Sequence, residues 1–285
     1  MTERIISLLP SATEILYWLG VGDRVVGVTY ECAEPAEAAS KPHVTNTIIP
    51  EGATPAEIDA IIGEAVASGG QLYTLDVDLL RSLEPTMIVT QDLCRVCALP
   101  AGQVVEAVEM LGTDAEVVSY DPMTLDGVID EIEVIAKAVG ADSSTKLVEL
   151  RERVATARAT RTEHRPKVLL LEWPDPPYTP GHWIPDQIEA AGGEALLAHP
   201  GGRSSATTWD AVALSEAEVL IVAPCGFTHE QATEQLAEVV ARPELADLPA
   251  IKQGRTYAID ADAYIVRPGP RLVDGIDALA KLIHP

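Results

Sequence analysis

At 285 residues the chain is long enough for two lobes or one large domain, and with 47% hydrophobic residues it can bury a substantial core. Only 4% is aromatic, with a single Phe, so burial must come from Ala, Val, Leu and Ile. A formal net charge of −24 repels phosphate backbones and anionic lipid surfaces and argues against nucleic acid as a partner.

The chain opens Met1-Thr2-Glu3-Arg4 and runs directly into Ile5-Ile6-Ser7-Leu8-Leu9. That start has no basic n-region, no long apolar segment and no small-residue cleavage site. No stretch reaches the ~18 apolar residues of a membrane span. The expectation is a soluble, monomeric, cytoplasmic chain, extracytoplasmic only if a leader has been trimmed. In a reducing cytosol its four cysteines would be thiols or metal ligands rather than structural disulfides.

Residues 4–8 read as a buried strand. Ser11 and Glu14 then make a capping-box pattern that opens a helix through Leu19, stopped by Gly20 and Gly22. Residues 25–29 form the next strand, 55–67 a helix, 71–75 a short strand and 76–83 a short helix. A strand at 87–90, a helix at 101–111 and a strand at 115–119 follow. Continuous apolar strands alternating with helices argue for a parallel, doubly wound sheet. A helical stripe covers 124–139, and a second run starts at Asp142 or Ser143 and continues to about Thr162, roughly 30 Å of rigid rod. Beyond His164-Arg165-Pro166 the alternation restarts: strands at 167–172, 194–197, 219–223 and 255–259, and helices at 184–191, 210–217, 228–241 and 271–283. The fold class is therefore α/β, two Rossmann-like lobes with parallel sheets joined by one long connecting helix. Its parts are an amino-terminal lobe over 1–141, the connecting helix over 142–165 and a carboxy-terminal lobe over 166–285.

The four cysteines all follow strand-like runs. Cys32 comes after 25–29, Cys94 and Cys97 after 87–90, and Cys225 after 219–224. Loops at the carboxyl ends of parallel strands form the ligand crevice of such sheets, so these thiols are expected around one cleft. Three readings stand side by side: small buried hydrophobes, a redox disulfide, or a shared zinc or iron–sulfur site made by Cys32, Cys94 and Cys97 with or without Cys225. A cytoplasmic metalloprotein or enzyme built around such a site is the alternative to a binding protein. No nucleophile elbow and no glycine-rich phosphate loop occurs, so a binding role is expected ahead of catalysis.

The segments Ile5–Glu14, Val25–Thr29, the long connecting helix and Arg267-Pro268-Gly269-Pro270-Arg271 together resemble the helical-backbone metal-receptor proteins. These are the class III, periplasmic-binding-protein-like substrate-binding proteins of ABC importers. Gly181-His182-Trp183-Ile184-Pro185 and Ala223-Pro224-Cys225-Gly226-Phe227 are most similar to the cobalamin-binding branch. The resemblance implies a corrinoid, or a related tetrapyrrole or metal chelate, held in a cleft between the lobes, with an ABC permease as partner. It also implies a ligand contact at Trp209.

Other candidate contacts follow from side-chain chemistry. Trp173 and Trp183, in a proline-stiffened region, offer flat walls to a macrocycle. His182 could approach a cobalt or iron axially. Ser11, Thr13 and Glu14 at a helix start suit polar groups on a ligand edge. Arg267 and Arg271, on either side of a stiff turn, suit ligand carboxylates.

Overall fold

The computed structural model describes residues 3–68, 70–91, 114–160 and 164–285. The expected helix at 101–111 and the cysteines Cys94 and Cys97 lie outside the described residues. The chain divides into two compact units, Met1–Asp121 with Asp130–Ser144, and Pro122–Ile129 with Thr145–Pro285.

The first unit is built on four strands, β1 (Ile5–Ser7), β2 (Val25–Val28), β5 (Met87–Thr90) and β6 (Glu116–Ser119), all parallel in the order β2-β1-β5-β6. β1 and β5 are buried along their whole length, as expected for strands covered on both faces. Ile6, Leu8 and Ile88 pack with Val44, Leu72, Tyr73 and Leu80 in one apolar cluster. Each fully buried Leu or Ile side chain contributes roughly 1.5–3 kcal/mol.

Two short strands, β3 (Thr45–Thr47) and β4 (Tyr73–Leu75), form a separate antiparallel pair. The sequence presented 71–75 as one more strand of the parallel sheet. Its partner is instead a three-residue strand, too short for an alternation to be visible.

The second unit repeats the plan with β10 (Glu194–Ala195), β7 (Lys167–Leu171), β12 (Val219–Val222) and β13 (Thr256–Ala258), parallel and in that order. Leu169, Leu171, Leu220 and Val222 face a cluster that includes Val212, Val239, Leu245 and Leu248. Successive strand residues point to opposite faces, so Val168, Leu170, Val219 and Ile221 serve the other layer. There the helices Ile184–Ala190 and Leu272–Ile283 pack together.

A third, antiparallel sheet is added by β8 (Trp173–Pro174), β9 (Pro177–Thr179) and β11 (Ser205–Ala206), in the order β11-β9-β8. Composition presented 172–178 as an irregular proline-stiffened loop. It is a hairpin, and its prolines pair with each other at the narrow end, where a missing N–H costs least.

Two expectations about helices change. The first helix spans Pro10–Trp18, and its N-cap is Leu9, with no side-chain cap. Ser11 therefore lies inside the first turn and makes no capping box with Glu14. Proline in the first turn presets the helical φ, so the helix starts two residues earlier without a polar cap. The helix expected to reach Thr162 spans Ser144–Ala159, 16 residues, or about 24 Å. Arg153 ties it to Asp274 and Asp277 of the last helix at 2.8 and 3.0 Å, and Arg158 reaches Asp126. Among the described residues no helix is long and apolar enough to cross a membrane.

Candidate functional site

In each parallel sheet the strand order reverses once. The first unit runs from β1 outward to β2 on one side and resumes at β5 on the other. The second runs from β7 to β10 on one side and resumes at β12 on the other. Ligands of open α/β sheets bind where the carboxyl ends of the two strands at such a reversal diverge.

In the first unit that position holds Leu8–Ser11 after β1 and Gln91 after β5. The surroundings are polar yet closed: Ser7, Ser11, Thr13, Glu14, Thr29, Thr90 and Gln91 are all buried. Buried polar groups must be paired, and two of these hydroxyls are paired with the segment after β1. Ser7 Oγ donates to the Leu9 carbonyl at 3.1 Å, and Thr13 Oγ1 donates to the same carbonyl at 3.3 Å. Thr13 Oγ1 lies 3.0 Å from Cys32 Sγ. Thr13 is wholly buried, so it supports the helix start from within. Cys32 is packed against it, and the hydroxyl–thiol contact accounts for its polarity.

In the second unit the reversal is more open. β7 and β12 are in register, Leu171 opposite Val222, and the Ala223 N–H donates to the Leu171 carbonyl at 2.9 Å. The segments after them therefore emerge side by side. Trp173 and Phe227 meet edge to face there, ring centroids 5.5 Å apart at 76°. Both are half-buried. The Trp173 indole N–H donates to the Asp175 carbonyl at 3.1 Å, and Tyr178 stands opposite Trp173 across the hairpin. Phe227, the chain's only phenylalanine, was not among the candidate contacts. Its signal was its place just past a buried strand in a chain so poor in aromatics.

A clamp fixes the root of this platform. The Glu172 carboxylate accepts from Ser204 Oγ at 2.8 Å and from the Gly181 N–H at 3.1 Å. The His182 N–H donates to the Gly202 carbonyl at 2.6 Å, and the Gly201 N–H donates back to the His182 carbonyl. His182 itself has φ 51°, in the left-handed region.

The remaining candidates are placed as follows. Trp183 is buried, and its indole N–H donates to the Ile265 carbonyl at 2.8 Å, so it is a core residue roofing the unit. His182 Nε2 is buried and makes no hydrogen bond. Trp209 starts the helix Trp209–Ala213, and its ring lies under the Arg242 guanidinium at 3.9 Å. Arg242 follows the far end of the helix His229–Val240, so Trp209 belongs to the packing of that layer rather than to the Trp173 platform. Arg267 is ion-paired with Asp262. Arg271 is the N-cap residue of the last helix. Cys225 is exposed at the β12 exit, and neither it nor Cys32 is in a disulfide. Among the described residues no three His, Cys, Asp or Glu side chains are grouped to hold a metal ion.

Burial first, and the Arg203 guanidinium second, hold His182 below its ordinary value of 6.5. The unfolded chain therefore takes up a proton before the folded one does. Stability is lost as the pH falls from about 6.5 through the lowered folded value and is unaffected by this group above it. Urea midpoints should thus fall between pH 7.5 and 5.5, and His182→Asn, which tolerates the left-handed backbone, should flatten that slope. An equal slope in both proteins would remove His182 as its source.

The family described as periplasmic binding protein matches residues 5–263. The chain is 26% identical to an uncharacterized ABC transporter substrate-binding lipoprotein, YvrC, of Bacillus subtilis, over 99% of this chain and 80% of that one. It is 24% identical to a vitamin B12-binding protein of Vibrio cholerae, over 99% of this chain and 89% of that one. Among solved structures, the periplasmic heme-binding protein RhuT of Roseiflexus sp. RS-1 in apo form superposes with a TM-score of 0.74 at 24% identity, covering 100% of this chain and 98% of its own. That likeness shows a shared fold.

Proposed function

The chain belongs to the periplasmic binding protein family and is a substrate-binding protein of ABC-importer type, and from that premise we propose that its substrate is a corrinoid or a related tetrapyrrole metal chelate. A protein of this type works with a small-molecule ligand and a membrane permease. The observation that carries the ligand reading is the Trp173–Phe227 pair at the carboxyl edge of β7 and β12. Aromatic side chains bury roughly 150–250 Å² each when fully enclosed and lose little side-chain entropy, which suits the face of a flat macrocycle. The pair stands where ligand sites of open sheets form, and its base is braced by the Glu172 clamp. The sequence likeness to a vitamin B12-binding protein supports the corrinoid among such chelates.

The test is a titration of the purified protein with cyanocobalamin and, separately, with haem. It is followed by tryptophan fluorescence, visible absorbance and calorimetry. A saturable one-to-one response to cyanocobalamin, with Kd at or below about 1 µM, is expected. Silence towards both ligands at high micromolar concentration would overturn the proposal.

A further inference from the structure

We infer that Asp262 is a specificity-determining residue of the Trp173–Phe227 platform. By holding Arg267, it favours ligands whose rim carries neutral amides over ligands whose rim carries free carboxylates. The inference rests on the platform reading above and deepens it.

β13 pairs in register with β12, Ala258 opposite Val222, so the segment after it emerges at the same edge as Trp173 and Phe227. Asp260 caps the short helix Ala261–Tyr264 by accepting from the Ala263 N–H at 2.9 Å. Asp262, in the first turn, points its carboxylate two ways. Oδ1 accepts from the Gly226 N–H at 3.0 Å, and Oδ2 accepts from the Arg267 guanidinium. Gly226 has φ 78°, a left-handed conformation that suits glycine, and it immediately precedes Phe227. One carboxylate oxygen thus secures the turn that presents Phe227, while the other is joined to the nearby cation.

The Asp262 and Arg267 side chains are 23% and 15% exposed, so the pair is largely shielded from solvent. Charge-assisted hydrogen bonds in such surroundings are stronger than neutral ones. The sequence suggested that Arg267 reads a ligand carboxylate, but the carboxylate it holds belongs to the protein. A ligand bringing its own carboxylate must compete with Asp262, in a chain whose net charge of −24 already disfavours anions. A rim of amides meets no such competition.

The experiment uses a matched pair of ligands, cyanocobalamin and its monocarboxylate, made by hydrolysing one side-chain amide. Affinities are measured on the wild type, Asp262→Asn and Asp262→Asn/Arg267→Gln. The wild type should prefer the amide form by about tenfold, the scale of one hydrogen bond to a charged group. Asp262→Asn should close that gap by about tenfold, because the protein's own negative charge no longer competes with the ligand carboxylate for Arg267. The double variant should restore the preference, which assigns the change to Arg267. If Asp262→Asn lowers both affinities in parallel and leaves their ratio unchanged, Asp262 only braces the Gly226 turn and the inference is overturned while the ligand reading survives. If the wild type binds neither compound, the ligand reading falls and takes this inference with it.

Discussion

Trp173→Ala is expected to weaken cyanocobalamin binding at least about 30-fold while leaving the unfolding transition nearly in place. Aromatic anchors near the centre of a contact are worth about 2 kcal/mol or more on truncation. Trp173 is half-buried, edge to face with Phe227, and its indole N–H donates to the nearby Asp175 carbonyl. Removing it strips one wall from the platform and exposes Phe227, but opens no cavity in the sheet, whose core lies at Leu169, Leu171, Leu220 and Val222. Trp183→Ala should behave in the opposite way. That ring is buried and bonded to the Ile265 carbonyl, so its loss should cost stability of about 3–5 kcal/mol. Isothermal titration and urea unfolding on both variants separate the roles. A Trp173→Ala protein with unchanged affinity would remove the platform from the binding surface.

Gly181→Ala should be a highly damaging small substitution. A Cβ at that position would lie 2.3 Å from the Ser204 backbone nitrogen, 2.4 Å from the Arg203 carbonyl carbon and 2.7 Å from the Gly202 carbonyl oxygen. All three are main-chain atoms, so no rotamer change relieves the clash. The strands β9 and β11 or the 199–205 segment must move apart. The Gly181 N–H also anchors Glu172, one residue from Trp173. The expected loss is about 2–4 kcal/mol, read as a lower urea midpoint, with a fall in cyanocobalamin affinity as the clamp loosens. Gly63 provides the contrast. It lies inside the helix Pro55–Ser68 with open space around it, and Gly63→Ala should raise stability by about 0.5–1 kcal/mol. Equal effects of the two substitutions would show that Gly181 makes no close approach in solution.

The parallel strands were legible because burial on both faces leaves a continuous apolar run, as in Val168–Leu171 and Val219–Val222. The amphipathic helices were legible for a similar reason, and strand-end position alone marked Trp173 as a candidate contact, since strand ends are where parallel sheets open. The three-stranded antiparallel sheet was not legible. Its strands are two or three residues long and two of them contain proline, too little for a period of two to register. Nor could spacing distinguish Trp173 from Trp183. Both tryptophans sit in similar proline-rich surroundings, yet one indole faces a ring and the other a buried carbonyl.

What the sequence by itself determined is the class of fold and the edge of each sheet at which side chains collect, because periodicity and burial act along the chain within a few residues. What only the tertiary structure decided is which of those side chains remain available. Arg267 is joined to Asp262, Thr13 is buried beside Cys32, Trp209 lies under Arg242, and Phe227 comes to stand against Trp173. Several of these pairings join residues tens of positions apart. No local pattern encodes them, because a side chain's partner is set by strand register and by the packing of distant segments.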